Sequence, residues 1–236
     1  MRRIVFLVVL VIAVLTAPSV ARASVRLAFT YPWYPESYEA GTHFHPDLMP
    51  PFPYDSGDPV VIDRQIAAMR YGHVQGAILS WWGPGHSTDR RFPTWLAESN
   101  RVAPGVTGFK DAIYYESEGN ATATEGSPNP PASAITADLD YIAARYADDP
   151  AYLHLDGKPV IFAYGDPGDD LDGCSMVNRW VQANADASAR FFIVLKVFNG
   201  YRSCTNQPDG WHQYAGAARE DTQGEFAKII SPGFWK

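Results

Sequence analysis

The chain has 236 residues, a formal net charge of −7 and no basic run beyond its first residues. A nucleic-acid surface needs a cationic patch against the phosphates, so nucleic acid is excluded as a partner. The length allows one substantial core but not two large domains.

Arg2 and Arg3 precede an apolar run from Ile4 to Leu15, and Ala21-Arg22-Ala23 follows. A positive start, a short greasy stretch and a small-x-small exit describe a secretory signal peptide over residues 1–23, cut before Ser24. The run is shorter than the about 20 residues that span a bilayer, so no stable membrane insertion is expected. The mature protein, residues 24–236, is expected to be secreted or extracytoplasmic.

The first strand, Val25 to Thr30, alternates and runs into Tyr31-Pro32-Trp33-Tyr34. A Pro-rich loop containing His43 and His45 leads to Tyr54, Asp55 and Asp58, the last a natural cap for a helix from Pro59 to Tyr71. Gly76–Ser80 reads as a strand buried on both faces and ends in Trp81-Trp82. Pro93 to Ser99 reads as a short helix. Phe109 to Tyr115 is the third strand, with Glu116 at its C-terminal end, and Ser133 to Tyr146 is the following helix. Pro159–Tyr164, a helix over Cys174–Gln182, a strand over Phe191–Phe198 and a last strand near Ala227–Ser231 complete the order.

Alternating strands and helices fit either a doubly wound sheet or a barrel. Every strand ends in a loop rich in Trp, Tyr, Asp, Glu or His, which is how a (β/α)8 barrel gathers its site. The first turn, Tyr31-Pro32-Trp33, has no glycines to cradle a phosphate. The fold expected is therefore an α/β, (β/α)8 TIM barrel, incomplete, with about five to six strand-helix units present.

Glu116, at the mouth of that barrel, is placed to bind sugar hydroxyls or assist proton transfer. Alternation along a strand lets at most one of Trp81 and Trp82 face the cavity. Tyr31, Trp33 and Tyr34 offer aromatic faces to a pyranose, and Asp55 is a further substrate contact. Glu118 reads as a solvated loop acid. Asp89 fits either a helix cap or the site. Asp166 is a further acid, but no close pair stands out among these carboxylates. The scattered histidines form no metal-binding pattern, and no metal or other cofactor is expected. Cys174 and Cys204, the only cysteines, suggest a disulfide in a secreted chain. Asn120-Ala121-Thr122 has the form of a glycosylation acceptor.

The chain resembles the glycoside hydrolase family 99-like domain, whose characterised members are endo-α-mannosidases and endo-α-mannanases. The resemblance lies in Tyr31-Pro32-Trp33-Tyr34, in Tyr54 to Ile62, and in Gly76 to Gly83. It continues in Ile113-Tyr114-Tyr115-Glu116, Lys158 to Tyr164, Trp211-His212-Gln213-Tyr214 and Ser231-Pro232-Gly233-Phe234-Trp235. It implies a (β/α)8 barrel that cuts inside α-linked mannose chains with retention, through attack by the sugar's own 2-hydroxyl. It also implies that Trp81 or Trp82 lines the subsite before the cleaved bond. Glu116 would bind the sugar, and Tyr31, Trp33 and Tyr34 would help form the wall. The family's two catalytic glutamates lie downstream of the Ser-Pro-Gly-Phe segment, in an Asn-Glu-Trp-x-Glu-Gly-like stretch. The sequence ends at Lys236 without one. The catalytic residues are therefore unknown, and the chain itself is expected to be inactive. The alternative is a noncatalytic carbohydrate-binding or degenerate barrel; either way the partner is an oligo- or polysaccharide.

Overall fold

The computed structural model describes residues 25–39, 53–105, 108–116, 130–164, 173–214 and 226–227. The signal-peptide segment, His43, His45, Glu118, Asn120, Asp166 and the Ser231–Trp235 motif lie outside them.

In chain order the elements begin with β1 (Leu27–Thr30), α1 (Glu36–Glu39), α2 (Pro59–Tyr71), β2 (Gly76–Trp81) and α3 (Ser87–Val102). Next come β3 (Lys110–Tyr115), α4 (Ala132–Ile142) with a π-helical turn over Ala143–Ala147, β4 (His154–Leu155) and β5 (Lys158–Ala163). They end with α5 (Gly173–Asp186), β6 (Phe192–Lys196), a 3-10 turn over Tyr201–Ser203, β7 (Gly210–His212) and β8 (Phe226–Ala227).

The sheet runs β1-β2-β3-β5-β6-β7-β8, with every pair on that path parallel. The order never reverses among the described strands, which therefore hold no switch point of the doubly wound kind. This is the strand sequence of a (β/α) barrel, incomplete among the described residues. β4 stands aside as a hairpin on β5. Asp156 (φ 52°) and Gly157 (φ 74°) make its two-residue turn, where both positions need the left-handed region that Asp-Gly tolerates.

Two layers of side chains alternate along the strands. Ala77, Leu79, Trp81, Ile113, Tyr115, Ile161, Ile193 and Leu195 face the helices and meet Ile62, Ile66, Trp95, Leu139, Ile142, Met176 and Trp180. Ile78, Ala112, Tyr114, Val160, Phe162, Phe192 and Val194 fill the inner side with Leu27 and Phe29. Both faces of β2 are buried along its whole length, as a strand between helices and a barrel interior must be. Gly76 lets β1, β2 and β3 close at the N-terminal end: a Cβ there would stand 2.2 Å from the Lys110 carbonyl oxygen.

Two sequence expectations change. The helix expected from Pro93 starts at Ser87 and carries Pro93 in its interior. A proline has no N–H for the carbonyl one turn back, that of Asp89; the Tyr146 hydroxyl approaches that oxygen at 3.5 Å. The parallel strand after β6 is Gly210–His212, not Ala227–Ser231; Phe226–Ala227 is the one after it. The β6–β7 connection holds no α-helix, and the Cys174–Cys204 disulfide ties it to the start of α5.

Candidate active site

The inner face at the C-terminal ends of the strands holds the densest set of functional groups. β3 delivers Glu116, whose N–H donates to the Trp81 carbonyl at 3.0 Å and so continues the ladder past the strand end. Its side chain is 6 % exposed. Burial pushes the carboxyl up to about 7, against a hydrogen bond with Ser80 and the positive charge of Lys196. Oε1 is buried without a hydrogen-bond partner. The Tyr114 hydroxyl, two residues earlier on the same face, is also buried and unpartnered. Buried polar atoms without a protein partner are positions where a water or a ligand can supply the bond.

The walls are aromatic. The indole N–H of Trp33 donates to the Ser80 hydroxyl at 2.8 Å, folding the β1 loop over the end of β2. Tyr31 packs 4.9 Å from Trp33, and Trp82 lies 6.4 Å from the same ring. The Tyr31 hydroxyl donates to that of Tyr214 at 3.2 Å. Burial, then this bond, raise the Tyr31 hydroxyl far above the ordinary phenol, so it stays protonated. Tyr214 stacks on Tyr114 at 5.7 Å and meets Tyr164 edge-on at 5.0 Å. The Lys196 ammonium stands 3.9 Å above the Tyr164 ring.

The floor is uncharged. His212 is fully buried against Phe29, Tyr114 and Phe162. Its Nε2 lies 3.0 Å from the Ala163 carbonyl oxygen, and burial pushes its pKa down to about 4.

Four of the expected site residues therefore converge: Tyr31, Trp33, Trp82 and Glu116. Trp81 does not. It is fully buried on the helix side, where its indole N–H donates to Asp89 at 2.8 Å. Tyr34 and Asp55 lie elsewhere too. Tyr34 packs with Tyr38 and Tyr54 in the β1–α2 loop, at 4.7 and 5.1 Å. With Tyr31, Tyr54, Ser56 and Met69 it lines a cavity of about 480 Å³ beside β1. Asp55 accepts from the Gly57 N–H at 2.7 Å and lies 3.5 Å from the Arg91 guanidinium. Arg91 also donates to the Pro32 carbonyl and both oxygens of Glu36, so this group fixes the aromatic loop from outside. Asp58 is the cap of α2, accepting from Val60 N–H at 2.8 Å.

Asp89 is neither an exposed cap nor a site residue. Its buried carboxylate accepts from Trp81, the Gly85 N–H, Tyr141 and Tyr146 at 2.7–2.8 Å. Burial pushes its pKa up, but the four hydrogen bonds outweigh it and hold the group below the usual carboxylate value.

Ser80, Tyr114, Tyr164, Lys196 and Tyr214 are further residues at this candidate site that sequence reasoning did not single out for it. Strand alternation carries a signal for some of them. Ser80 and Trp82 share a parity, as do Tyr114 and Glu116, and Lys196 closes the otherwise apolar strand FIVLK. Tyr214 stood only in the Trp211-His212-Gln213-Tyr214 motif, with nothing to place it at the site, because β7 is three residues long.

One carboxyl among aromatic walls can hold a sugar and exchange a proton with it. Hydrolysis of a glycosidic bond normally uses two carboxyl groups. Among the described residues, Glu116 is the only carboxyl on the inner face at these strand ends, and no cluster suited to a metal ion occurs.

No protein-family model matches the chain, and no curated protein matches it significantly. Solved structures do. A GH99 endo-α-mannosidase from Bacteroides thetaiotaomicron in complex with bis-tris-propane superposes with a TM-score of 0.59 at 20% identity, over 81% of this chain and 59% of that one. A further structure of the GH99 endo-α-mannosidase from Bacteroides thetaiotaomicron gives 0.53 at 16%, over 80% and 61%. A glycoside hydrolase-like protein gives 0.56 at 14%, over 81% and 59%. The chain thus spans about 60% of the length of the structures it resembles. At these identities the likeness shows the fold, part of a (β/α)8 barrel.

Proposed function

We propose that this chain forms the sugar-binding part of a secreted glycan hydrolase related to family 99, endo-acting and retaining, on α-mannosidic or related linkages. The observation that carries the reading is Glu116. It is a buried carboxyl at a strand end, with one oxygen unpartnered, an uncharged floor below it and Tyr31, Trp33 and Trp82 around it. Fold likeness to two endo-α-mannosidase structures supports the substrate class. In this reading Glu116 binds a ring hydroxyl, Trp82 packs on the face of the sugar, and Trp33 holds Ser80 in place beneath it.

The described site supplies one of the two carboxyls that hydrolysis needs, which favours a second reading: this chain binds glycan without cutting it. Residues 1–23 act as a cleaved signal peptide in either reading. The disulfide fits the oxidising compartment that such a signal leads to.

The test is calorimetric titration of the chain with α-mannan oligosaccharides, alongside chromatography of the same mixtures for shortened products. Binding that falls at least about tenfold in Glu116→Ala, a loss near 1.4 kcal/mol, supports the site. Products would overturn the binding-only reading. Wild-type affinity in Glu116→Ala would overturn the assignment of Glu116.

A further inference from the structure

A second set of polar groups gathers at the opposite end of the barrel, where the parallel strands begin. Residues 25–27 enter β1, residues 69–76 carry α2 into β2, and residues 101–110 carry α3 into β3. The backbone joins them: the Gln75 N–H donates to the Arg26 carbonyl at 2.8 Å, and the Lys110 N–H donates to that of Gln75 at 3.0 Å. The three segments hold Arg26, Arg70, His73, Arg101 and Lys110 but no aspartate or glutamate, in a chain whose net charge is −7. Between them lies a cavity of about 350 Å³, lined by Arg26, Arg70, His73 and Gln75 with Val74 and Phe109. That volume falls in the range of about 300–1,000 Å³ typical of small-ligand pockets.

The donors are held in place from behind. Arg26 Nη1 donates to the His73 carbonyl at 3.4 Å, and Arg70 Nη1 donates to the Val102 carbonyl at 3.2 Å. A helix C-terminus attracts one cation through its carbonyls, which accounts for one bond from each arginine. A guanidinium carries five N–H donors, so most of each fork is left over. Neither arginine meets a carboxylate among the described residues, whereas Arg101 beside them is taken up by Asp63 and Glu98. Lys110 is taken up by the carbonyls of Gly105 and Pro150. Gln75 Oε1 accepts from the Arg26 N–H at 3.0 Å, which leaves the amide NH2 as the end with donors to spare. His73 stands at φ 59°, where glycine would sit without strain, and brings an imidazole to the same cavity.

We propose that this cavity is an oxyanion site: the forks of Arg26 and Arg70 take a phosphate or sulfate group, and the Gln75 amide donates to it. The ligand class is a tetrahedral oxyanion, free or carried by a saccharide. Paired N–H donors in a planar fork match the oxygens of such a group, and bonds between opposite charges are about twice as strong as neutral ones. The site lies at the other end of the strands from Glu116 and does not depend on the sugar-binding reading.

The experiment titrates the chain with sodium phosphate and with mannose 6-phosphate by calorimetry, at low and constant ionic strength so that screening is the same throughout. Saturable binding is expected, falling at least about tenfold in Arg70→Gln and in Arg26→Gln. Arg64→Gln, which removes an exposed arginine of α2 outside the cavity, is expected to stay within about twofold. Arg70→Lys keeps the charge without the fork and is expected to fall between wild type and Arg70→Gln. Thermal midpoints are read alongside, and if Arg26→Gln unfolds early the two Arg70 variants decide. Tighter binding of mannose 6-phosphate than of inorganic phosphate assigns the oxyanion to a saccharide, and equal binding assigns it to the free ion. No saturable binding of either probe, wild-type affinity in Arg70→Gln, or an equal loss in Arg64→Gln overturns the proposal and leaves the reading of Glu116 untouched.

Discussion

Removing the Asp89 carboxylate tests the strongest interior network. Four donors converge on it: the Trp81 indole, the Gly85 N–H and the hydroxyls of Tyr141 and Tyr146. Trp81 is fully buried and Tyr146 is 3 % exposed, so neither donor reaches water once the acceptor is gone. A stranded buried donor costs about 1–3 kcal/mol. With two fully stranded, two partly so and a small cavity left behind, Asp89→Ala is expected to lose about 3–5 kcal/mol. That is a large part of the about 5–15 kcal/mol that holds a domain together. Asp89→Asn separates charge from shape. Its one carbonyl oxygen can keep Trp81 and Tyr146, and Tyr141 can rotate to accept from the amide, but the Gly85 N–H then faces another donor. The expected loss is about 1–2 kcal/mol. The native carboxylate has a lowered pKa, so its stabilisation is present above the unfolded value and lost as pH falls through the folded one. Asp89→Asn should remove that acid-side decline. Urea unfolding followed by tryptophan fluorescence gives both numbers. A loss below about 1 kcal/mol for Asp89→Ala would refute the idea that these four donors depend on one acceptor.

Other outcomes follow from the same coordinates. Glu116 and Asp111 are both buried, and burial raises each to about 7. As pH rises from about 4 to 7 the unfolded chain releases these protons first, so stability should fall across that window. Unfolding of Glu116→Gln and Asp111→Asn at several pH values should show a flatter profile, and an unchanged slope in both would contradict the assignment. Gly76→Ala places a methyl 2.2 Å from the Lys110 carbonyl oxygen and 2.8 Å from Leu27, and should destabilise by about 2 kcal/mol or more in thermal melts. Reduction of Cys174–Cys204, thirty residues apart, should cost about 3–4 kcal/mol on the loop-entropy estimate, read as a lower urea midpoint after alkylation. Ser80→Ala removes the acceptor of the Trp33 indole and the hydrogen bond on Glu116. It should weaken glycan binding severalfold and shift the pH midpoint of binding upward, because Ser80 helps hold the carboxyl ionised.

Much of the candidate site was legible because it sits where a parallel strand ends. Glu116 follows an apolar strand, and position alone marks it. The choice between Trp81 and Trp82 was not legible. All six residues of β2 are buried, so alternation leaves no polar-apolar contrast to say which parity faces inward. Asp55 and Tyr34 read as site residues because they sit in an aromatic loop. The fold instead pins that loop from outside through Arg91, and among its described residues Tyr31 and Trp33 are the ones that approach Tyr214 and Ser80 at the strand ends. Proline was read as a helix start at Pro93, its commonest helical position. Here a tyrosine from a distant helix approaches the carbonyl that the proline leaves without its usual partner.

The sequence by itself determined the local pieces. The Asp58 cap, the α2 boundaries, the apolar strands and the single possible cysteine pair all depend on neighbours a few residues away or on composition. Tertiary structure alone decided the chemistry of the mouth. Glu116 is raised because the barrel interior desolvates it. Lys196 and Tyr214 reach it from 80 and 98 positions downstream, across strands that meet only when the sheet curves. Burial and charge proximity are set by what packs on the far side of a residue, and a linear pattern does not carry that information.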